Sequence, residues 1–499
     1  MNFYSYEFFA FIIMYALLYY LLPVRIKVVY LIFLSLLFYM LFDPLLVIIP
    51  VYLIIISYLF GRILAKKHKK IFLFIPVILN ICPLLFFKYF NFFSINVNEL
   101  GKLIGWNYNP LLLKIALPIG ISFYTFKAIS YLIEVYRNNI PAEKRLHYVA
   151  LYILFFPSLL AGPIDRPKPM FEQFGKLNDT DPKFVKLGLV LFLWGLFQKV
   201  IVADRLSVLV NRVFDYPPEF HTFHFIIAAF FFAIQIYCDF SGYTDMAIGT
   251  AMLFGIKLMK NFDKPYSSVS VIEFWRRWHI SLSSWFRDYI FLHVTYSLVR
   301  KIKLPVLNIK PEMIAYSCSI FIVMVTAGLW HGAAWTFLIW GALFAVYIIT
   351  SLITKNIRKR ILYRTGLIKH KTFLKIFRTV FVFLLITFAW IFFRANTVND
   401  AFYIVKEIFT GLPSVYDSLI NINYELSFKM IGLNPASLIL CFAGFVIIIF
   451  YNLLPYNSLI YTYINRQKKI VKYAGFALFV LFIFLFGNFS TPQFIYFNF

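Results

Sequence analysis

The stretch "TAGLWHGAAWTFLIWG", Thr326 to Gly341, decides how this chain is read. Apolar residues continue on both sides for about twenty positions, the length that crosses a hydrocarbon core of ~30 Å as a helix. In the middle stands His331, between Trp330 and Gly332. An ionisable ring inside an apolar span is costly and is a functional candidate by default. The stretch therefore predicts helices that cross a membrane and, within them, a site built around His331.

Composition points the same way. The 499 residues are 62% hydrophobic and 21% aromatic, with 62 Phe and 34 Tyr, and mean hydropathy is +0.78. Soluble domains hold roughly 45–50% apolar residues. The net charge of +26 would suggest nucleic acid in a soluble chain. Here the charge sits in short loops between apolar runs, as the positive-inside rule produces. No nucleic-acid motif accompanies it, so membrane lipid is the expected surroundings and nucleic acid is not an expected partner. The four cysteines (Cys82, Cys238, Cys318, Cys441) lie singly in apolar runs. They show neither metal spacing nor a disulfide framework and read as small packing residues.

Apolar runs fall near 6–22, 28–42, 44–61, 71–93, 148–163, 184–203, 222–248, 313–330, 332–354, 376–394, 435–454 and 471–488. Two more, 111–133 and 267–294, are interrupted by polar residues and read as buried or re-entrant helices. The first run lacks a basic region and a cleavage site before it, so it reads as a retained helix. With no repeat and no linker, the expectation is an all-α polytopic membrane protein with one domain over 1–499. The loops "RILAKKHKK" (Arg62–Lys70), Arg300–Lys303, Lys355–Lys375 and Arg466–Lys469 are basic and belong in the cytoplasm. Ser94–Pro110 and the loop carrying Asp400, Glu407, Asp417 and Glu425 belong outside. Alternation then places both termini outside.

Buried polar clusters are where function concentrates in such chains. In "LPIGISFYTFKAISYLIEVYR", Leu117–Arg137, Lys127 and Glu134 share a helix face and read first as an ion pair. "AGPIDRP" reads as a turn or helix end, with Asp165 and Arg166 capping it or lining a cavity. "AIQIYCDFSGYTDMAIGTAMLFGI", Ala233–Ile256, holds Gln235, Asp239, Ser241, Tyr243 and Asp245. Its carboxylates need partners; Arg276, Arg277 and Lys127 are the available cations, and ion coupling in a transporter is the alternative. In "VIEFWRRWHISLSSWFRDYIF", read as one helix, Trp275, Trp278, Leu282 and Trp285 make one stripe. Arg276, His279 and Ser283 make another. Around His331 the small residues Ala327, Gly328, Gly332, Ala333 and Ala334 leave room for a long thin ligand or, alternatively, serve helix packing.

These stretches, with "FFKYFNFF" (Phe86–Phe93), "NFDKPY" (Asn261–Tyr266), "GLWHGAAWTFLIWG" and "FAWIFFRA" (Phe388–Ala395), resemble the membrane-bound O-acyltransferase (MBOAT) family. The similarity is to its bacterial polysaccharide O-acetylase branch, whose members modify alginate or peptidoglycan, and the core motifs run from 86 to 395. The resemblance implies an MBOAT fold of about 11–13 transmembrane helices, with re-entrant helices around a central funnel or tunnel. His331 matches the histidine regarded as catalytic, and His279 the second histidine of the funnel. The resemblance also implies a cytoplasmic acetyl-CoA donor, no permanently bound cofactor or metal, an outward acceptor and the bacterial cytoplasmic (inner) membrane. An exported SGNH-type O-acetyltransferase is the implied partner.

Acyl transfer from a thioester needs a base, donors for the oxyanion and exclusion of water. His331 is the expected base, since imidazole with an ordinary pKa of ~6.5 is available neutral. His279 and Arg276 would orient the donor or stabilise negative charge, with Arg277 and Asp239 behind them. Trp275, Trp278 and Trp335 would wall the substrate path. Tyr496, in the terminal "STPQFIYFNF", is a candidate acetyl relay, the alternative being an interfacial aromatic belt. The Phe-, Ile- and Lys-rich composition tilts the expected polymer toward peptidoglycan, with an alginate-like exopolysaccharide second. The rival reading is a secondary transporter or flippase using Asp239, Asp245 and Glu134; it predicts internally symmetric halves, which the sequence does not display.

Overall fold

A computed structural model describes residues 3–106, 109–177, 181–305, 310–414, 435–453, 469–489 and 495. Among these residues the regular structure is helical and contains no strand. Eight helices are long and apolar enough to cross a membrane: Ile48–Lys66, Lys70–Leu103, Pro182–Asp215, Thr222–Leu253, Pro311–His331, Trp335–Ile353, Lys371–Arg394 and Lys469–Phe486. Tyr6–Leu21 and Ile439–Ile448 are apolar but shorter. The protein is an all-α, multi-pass membrane protein. Apolar side chains such as Leu17, Phe74, Leu100 and Phe377 stand exposed on the outer faces, where lipid would cover them.

Among the described residues, eight is fewer than the span number expected: Tyr6–Leu21 and Val24–Met40, with 16 and 17 residues, fall just short of that length, and other differences have local causes. The run 148–163 is not a span. It forms Leu146–Leu154 and Phe156–Leu159, broken at Phe155 ahead of Pro157, and lies almost wholly buried. Ser94–Pro110 is not simply a loop, because the helix from Lys70 continues to Leu103. It does so through a π turn at Leu85–Tyr89. The run 267–294 is a broken helix rather than a continuous one. The interrupted run 111–133 is helical only as Ile121–Tyr136, and nearly every side chain of that helix is buried, as a re-entrant or interior element requires.

Close helix approach fixes the frame. A Cβ on Gly195 would lie 2.3 Å from the Gly242 carbonyl oxygen, and one on Gly242 would lie 2.6 Å from that of Gly195. The helices Pro182–Asp215 and Thr222–Leu253 therefore touch backbone to backbone, the packing that small residues permit in lipid. The long helix has its own π turn at Gln198–Ala203, next to this crossing. The basic segment Arg62–Lys70 meets the Tyr136–Lys144 turn at one end of the bundle. Tyr58 donates to the Lys144 carbonyl at 2.9 Å, and the His68 ring stacks on Tyr136 at 4.5 Å.

Candidate functional site

His331 is the last residue of the helix Pro311–His331. Extended Gly332 and Ala334 follow, and a new helix starts at Trp335. The two helices form a tight hairpin. A Cβ on Gly328 would stand 2.2 Å from the Phe337 carbonyl oxygen, and one on Gly341 2.3 Å from that of Met324. A Cβ on Gly332 would meet the Phe337 ring at 2.1 Å. Gly328, Gly332 and Gly341 thus serve the close packing of this hairpin. The ring itself is 3% exposed. It meets Trp330, Trp340 and Phe393 edge-on at 4.9, 5.0 and 5.3 Å between centroids.

His279 arrives from a different direction. The helix Val271–Arg277 stops, Trp278 is extended, and His279 takes the left-handed conformation at φ 42° before Ile280–Phe286 begins. The predicted continuous stripe of Arg276, His279 and Ser283 is therefore absent. Asn261, from the "NFDKPY" segment, holds the break. Its side-chain oxygen lies 3.1 Å from His279 Nδ1 and accepts the Ser281 N–H at 3.1 Å and the Ser281 hydroxyl at 2.9 Å. Its backbone carbonyl accepts the Ile280 N–H at 2.9 Å. The His279 side chain is wholly buried, edge-on to Phe240 at 4.6 Å and 6.0 Å from the Trp330 ring. One indole, Trp330, thus lies against both imidazoles.

The charges are arranged otherwise than the sequence suggested. Asp239 pairs with Lys199, at 2.6 Å, and not with Arg276, Arg277 or Lys127. The same ammonium holds Asp204 at 2.7 Å, and all three side chains are 2–3% exposed. The second oxygen of Asp239 accepts the backbone N–H of Ile495 at 2.9 Å, so the C-terminal segment reaches this triad. Asp245 lies apart from it and accepts the Gln198 amide at 2.9 Å. A cavity of about 370 Å³ opens here. Lys199, Asp239, Gln235 and Arg394 line its polar side, and Phe337 and Phe393 its apolar side. Phe393 touches His331 as well.

Several predicted site residues stand elsewhere. Arg276 is exposed, because the break at Trp278 leaves it opposite the buried Val271–Phe274 face. Arg277 pairs with Glu273 at 2.6 Å and donates to Ser267 at 2.9 Å. Trp335 is 56% exposed and donates to Asn96 at 2.8 Å, outside the histidine site. Trp275 packs on Trp340 and Phe344, at 5.8 and 5.0 Å. Trp278 is buried between Phe262, Tyr266 and Trp390. Lys127 and Glu134 do not pair. Lys127 donates to Ser158 at 2.6 Å, and Glu134 accepts from Tyr289 at 2.9 Å. Asp165 accepts the Met259 N–H at 2.8 Å, and Arg166 pairs with Asp288 at 3.1 Å. Tyr496 lies outside the described residues. Sequence reasoning passed over Lys199 and Asn261. A lone lysine in the apolar run before Asp204 was the available signal for the first; nothing local marked the second.

The membrane-bound O-acyltransferase family matches this chain over residues 143–395, which hold both histidines, Asn261 and the charged triad. The chain is 36% identical over 346 residues to the probable alginate O-acetylase AlgI of Pseudomonas aeruginosa, covering 68% of this chain and 60% of that protein. It is 32% identical over 386 residues to the peptidoglycan O-acetyltransferase of Helicobacter pylori, covering 72% and 68%. It is 30% identical over 232 residues to the teichoic acid D-alanyltransferase of Bacillus subtilis, covering 46% and 57%. The match thus spans about 60% of the length of the Pseudomonas protein. On the family match and the extent of the peptidoglycan relative, the chain belongs to the membrane-bound O-acyltransferase family.

Proposed function

We propose that this protein is an O-acetyltransferase of the bacterial inner membrane. It moves the acetyl group of cytoplasmic acetyl-CoA to a hydroxyl on the outer side, for O-acetylation of a cell-envelope polysaccharide. The observation that carries the reading is the convergence of His331 and His279 on the Trp330 indole, at 4.9 and 6.0 Å, in a water-poor interior. The polar cavity lined in part by Phe337 and Phe393 adds the place from which an acceptor would approach. The names of the alginate and peptidoglycan relatives support acetyl as the acyl group.

His331 takes the proton of the attacking hydroxyl as its oxygen bonds to the thioester carbonyl carbon. The tetrahedral intermediate collapses, the C–S bond breaks, and CoA leaves as the thiolate, which recovers a proton. General-base help of this kind is worth ~10²–10⁴-fold. His279, oriented by Asn261, directs its ring toward the same space and steadies the intermediate. Asp239 and Lys199 act at the outer cavity rather than at the thioester.

The first acceptor is Tyr496, since a phenol, with a reference pKa of ~10, leaves more readily than an alkoxide. The Ile495 N–H on Asp239 supports this role, since Ile495, the residue before Tyr496 in the sequence, lines the cavity. An exported SGNH-type partner then carries the acetyl group to the polymer, with peptidoglycan favoured over an alginate-like exopolysaccharide. Purified protein in liposomes tests the reading against a transporter. Release of CoA thiol from acetyl-CoA, without counterflow of labelled substrate, is expected. Counterflow without thiol release would reject an acyltransferase.

A further inference from the structure

The last turn of a helix leaves its carbonyls without intrahelical donors. In the His331 helix these are the carbonyls of Leu329, Trp330 and His331, and they end in an apolar interior. One segment takes all three. The Tyr89 hydroxyl donates to Leu329 at 2.8 Å. The Lys88 ammonium donates to Trp330 at 2.7 Å and to His331 at 3.1 Å. The same ammonium lies 5.9 Å from the Trp330 ring centroid.

The chain after His331 does little to close the helix itself. Gly332 is extended, at φ −162° and ψ 150°, and its N–H reaches the Gly328 carbonyl only at 3.4 Å. Lys88 and Tyr89 stand on the π turn Leu85–Tyr89, within the helix Lys70–Leu103. Such widened turns re-aim side chains and concentrate at functional sites. A lysine inside an apolar span is expensive and is retained where it has a specific partner. Here the partner is the helix end that carries His331, and a cation at that end also meets the negative pole of the helix dipole.

We propose that Lys88 is a positioning residue for His331. Its ammonium ties the two terminal carbonyls together and so sets the height and tilt of the imidazole against Trp330 and His279. This rests on the reading of His331 as the acting base. Lys88 touches no reacting atom; it acts through the backbone it holds.

The test is steady-state thiol release from acetyl-CoA in liposomes, with water as the final acetyl acceptor, by wild type, Lys88→Met and Lys88→Arg. Displacing a catalytic group by about 1 Å can slow turnover by the order of 10²-fold. Lys88→Met should lower kcat by ~10–100-fold with KM for acetyl-CoA within about twofold. Lys88→Arg, whose fork can serve both carbonyls, should recover kcat to within about threefold of wild type. Unchanged kcat in Lys88→Met, or a raised KM with kcat retained, would overturn the proposal. If Lys88→Met does not accumulate in the membrane, Lys88→Arg decides: loss of turnover at normal membrane level would overturn it equally. Wild type that releases no thiol would reject the acyltransferase reading itself, and this inference with it.

Discussion

His279 sits at φ 42°, a left-handed conformation that a residue with a side chain adopts at a cost of roughly 1–2 kcal/mol. Asn261 offsets that cost by bonding the ring, the following N–H and a serine hydroxyl at once. Its truncation should therefore damage the site as much as truncation of the histidine. Asn261→Ala leaves a buried N–H and ring nitrogen unheld, at ~1–3 kcal/mol for each unsatisfied group. We expect a lower melting temperature in detergent and slower turnover. His279→Gln, which keeps a donor, should retain more activity than His279→Ala, as thiol-release rates would record. Equal and complete loss in both would point instead to proton transfer by His279. The burial of His331 and Asp239 was legible in the sequence, because each is a polar residue in an apolar run. Asn261 was not, because its role depends on residues 279 and 281, which only the fold brings to it. Arg276 misled for the complementary reason: helical spacing gave it a face that the break at Trp278 removes.

At the level of elements, the hairpin around His331 depends on backbone contact. Gly328→Val would force the helices Pro311–His331 and Trp335–Ile353 apart, since even a Cβ there would lie 2.2 Å from the Phe337 carbonyl oxygen. Overpacking of this kind typically costs ~1–3 kcal/mol. The expected result is a lower melting temperature together with loss of acetyl transfer; a variant that keeps both would mean the hairpin opens without consequence for His331. The long spans were legible from apolar length alone. Their interior irregularities were not. The π turns at Leu85–Tyr89 and Gln198–Ala203 carry no glycine or proline within them, and neither does "RRWH" where the helix Val271–Arg277 ends. Tertiary bonds, rather than local propensity, hold these breaks open. They also deliver Lys88, Lys199 and His279 to their partners.

Across the whole molecule, three distant segments meet at the Lys199–Asp239 pair: the helix of Lys199, the helix Thr222–Leu253 that carries Asp239, and the C-terminal segment, whose Ile495 N–H bonds Asp239. Removing one partner of a buried ion pair costs ~3–5 kcal/mol, whereas removing all the charges is far milder. Lys199→Met should thus destabilise strongly, and adding Asp204→Asn and Asp239→Asn should recover most of the melting temperature. Failure of that recovery would mean the triad does more than neutralise itself. The central claim is that His331 acts on a thioester presented at the basic face and delivers the acetyl group to the other. The direct measurement is thiol release in oriented liposomes, with acetyl-CoA supplied to one face at a time, for wild type and His331→Ala at equal membrane level. The account predicts release only from the face bearing Arg62–Lys70, reduced by ~10²–10⁴-fold in His331→Ala. Release from the opposite face, or more than a third of the wild-type rate in His331→Ala, would contradict it.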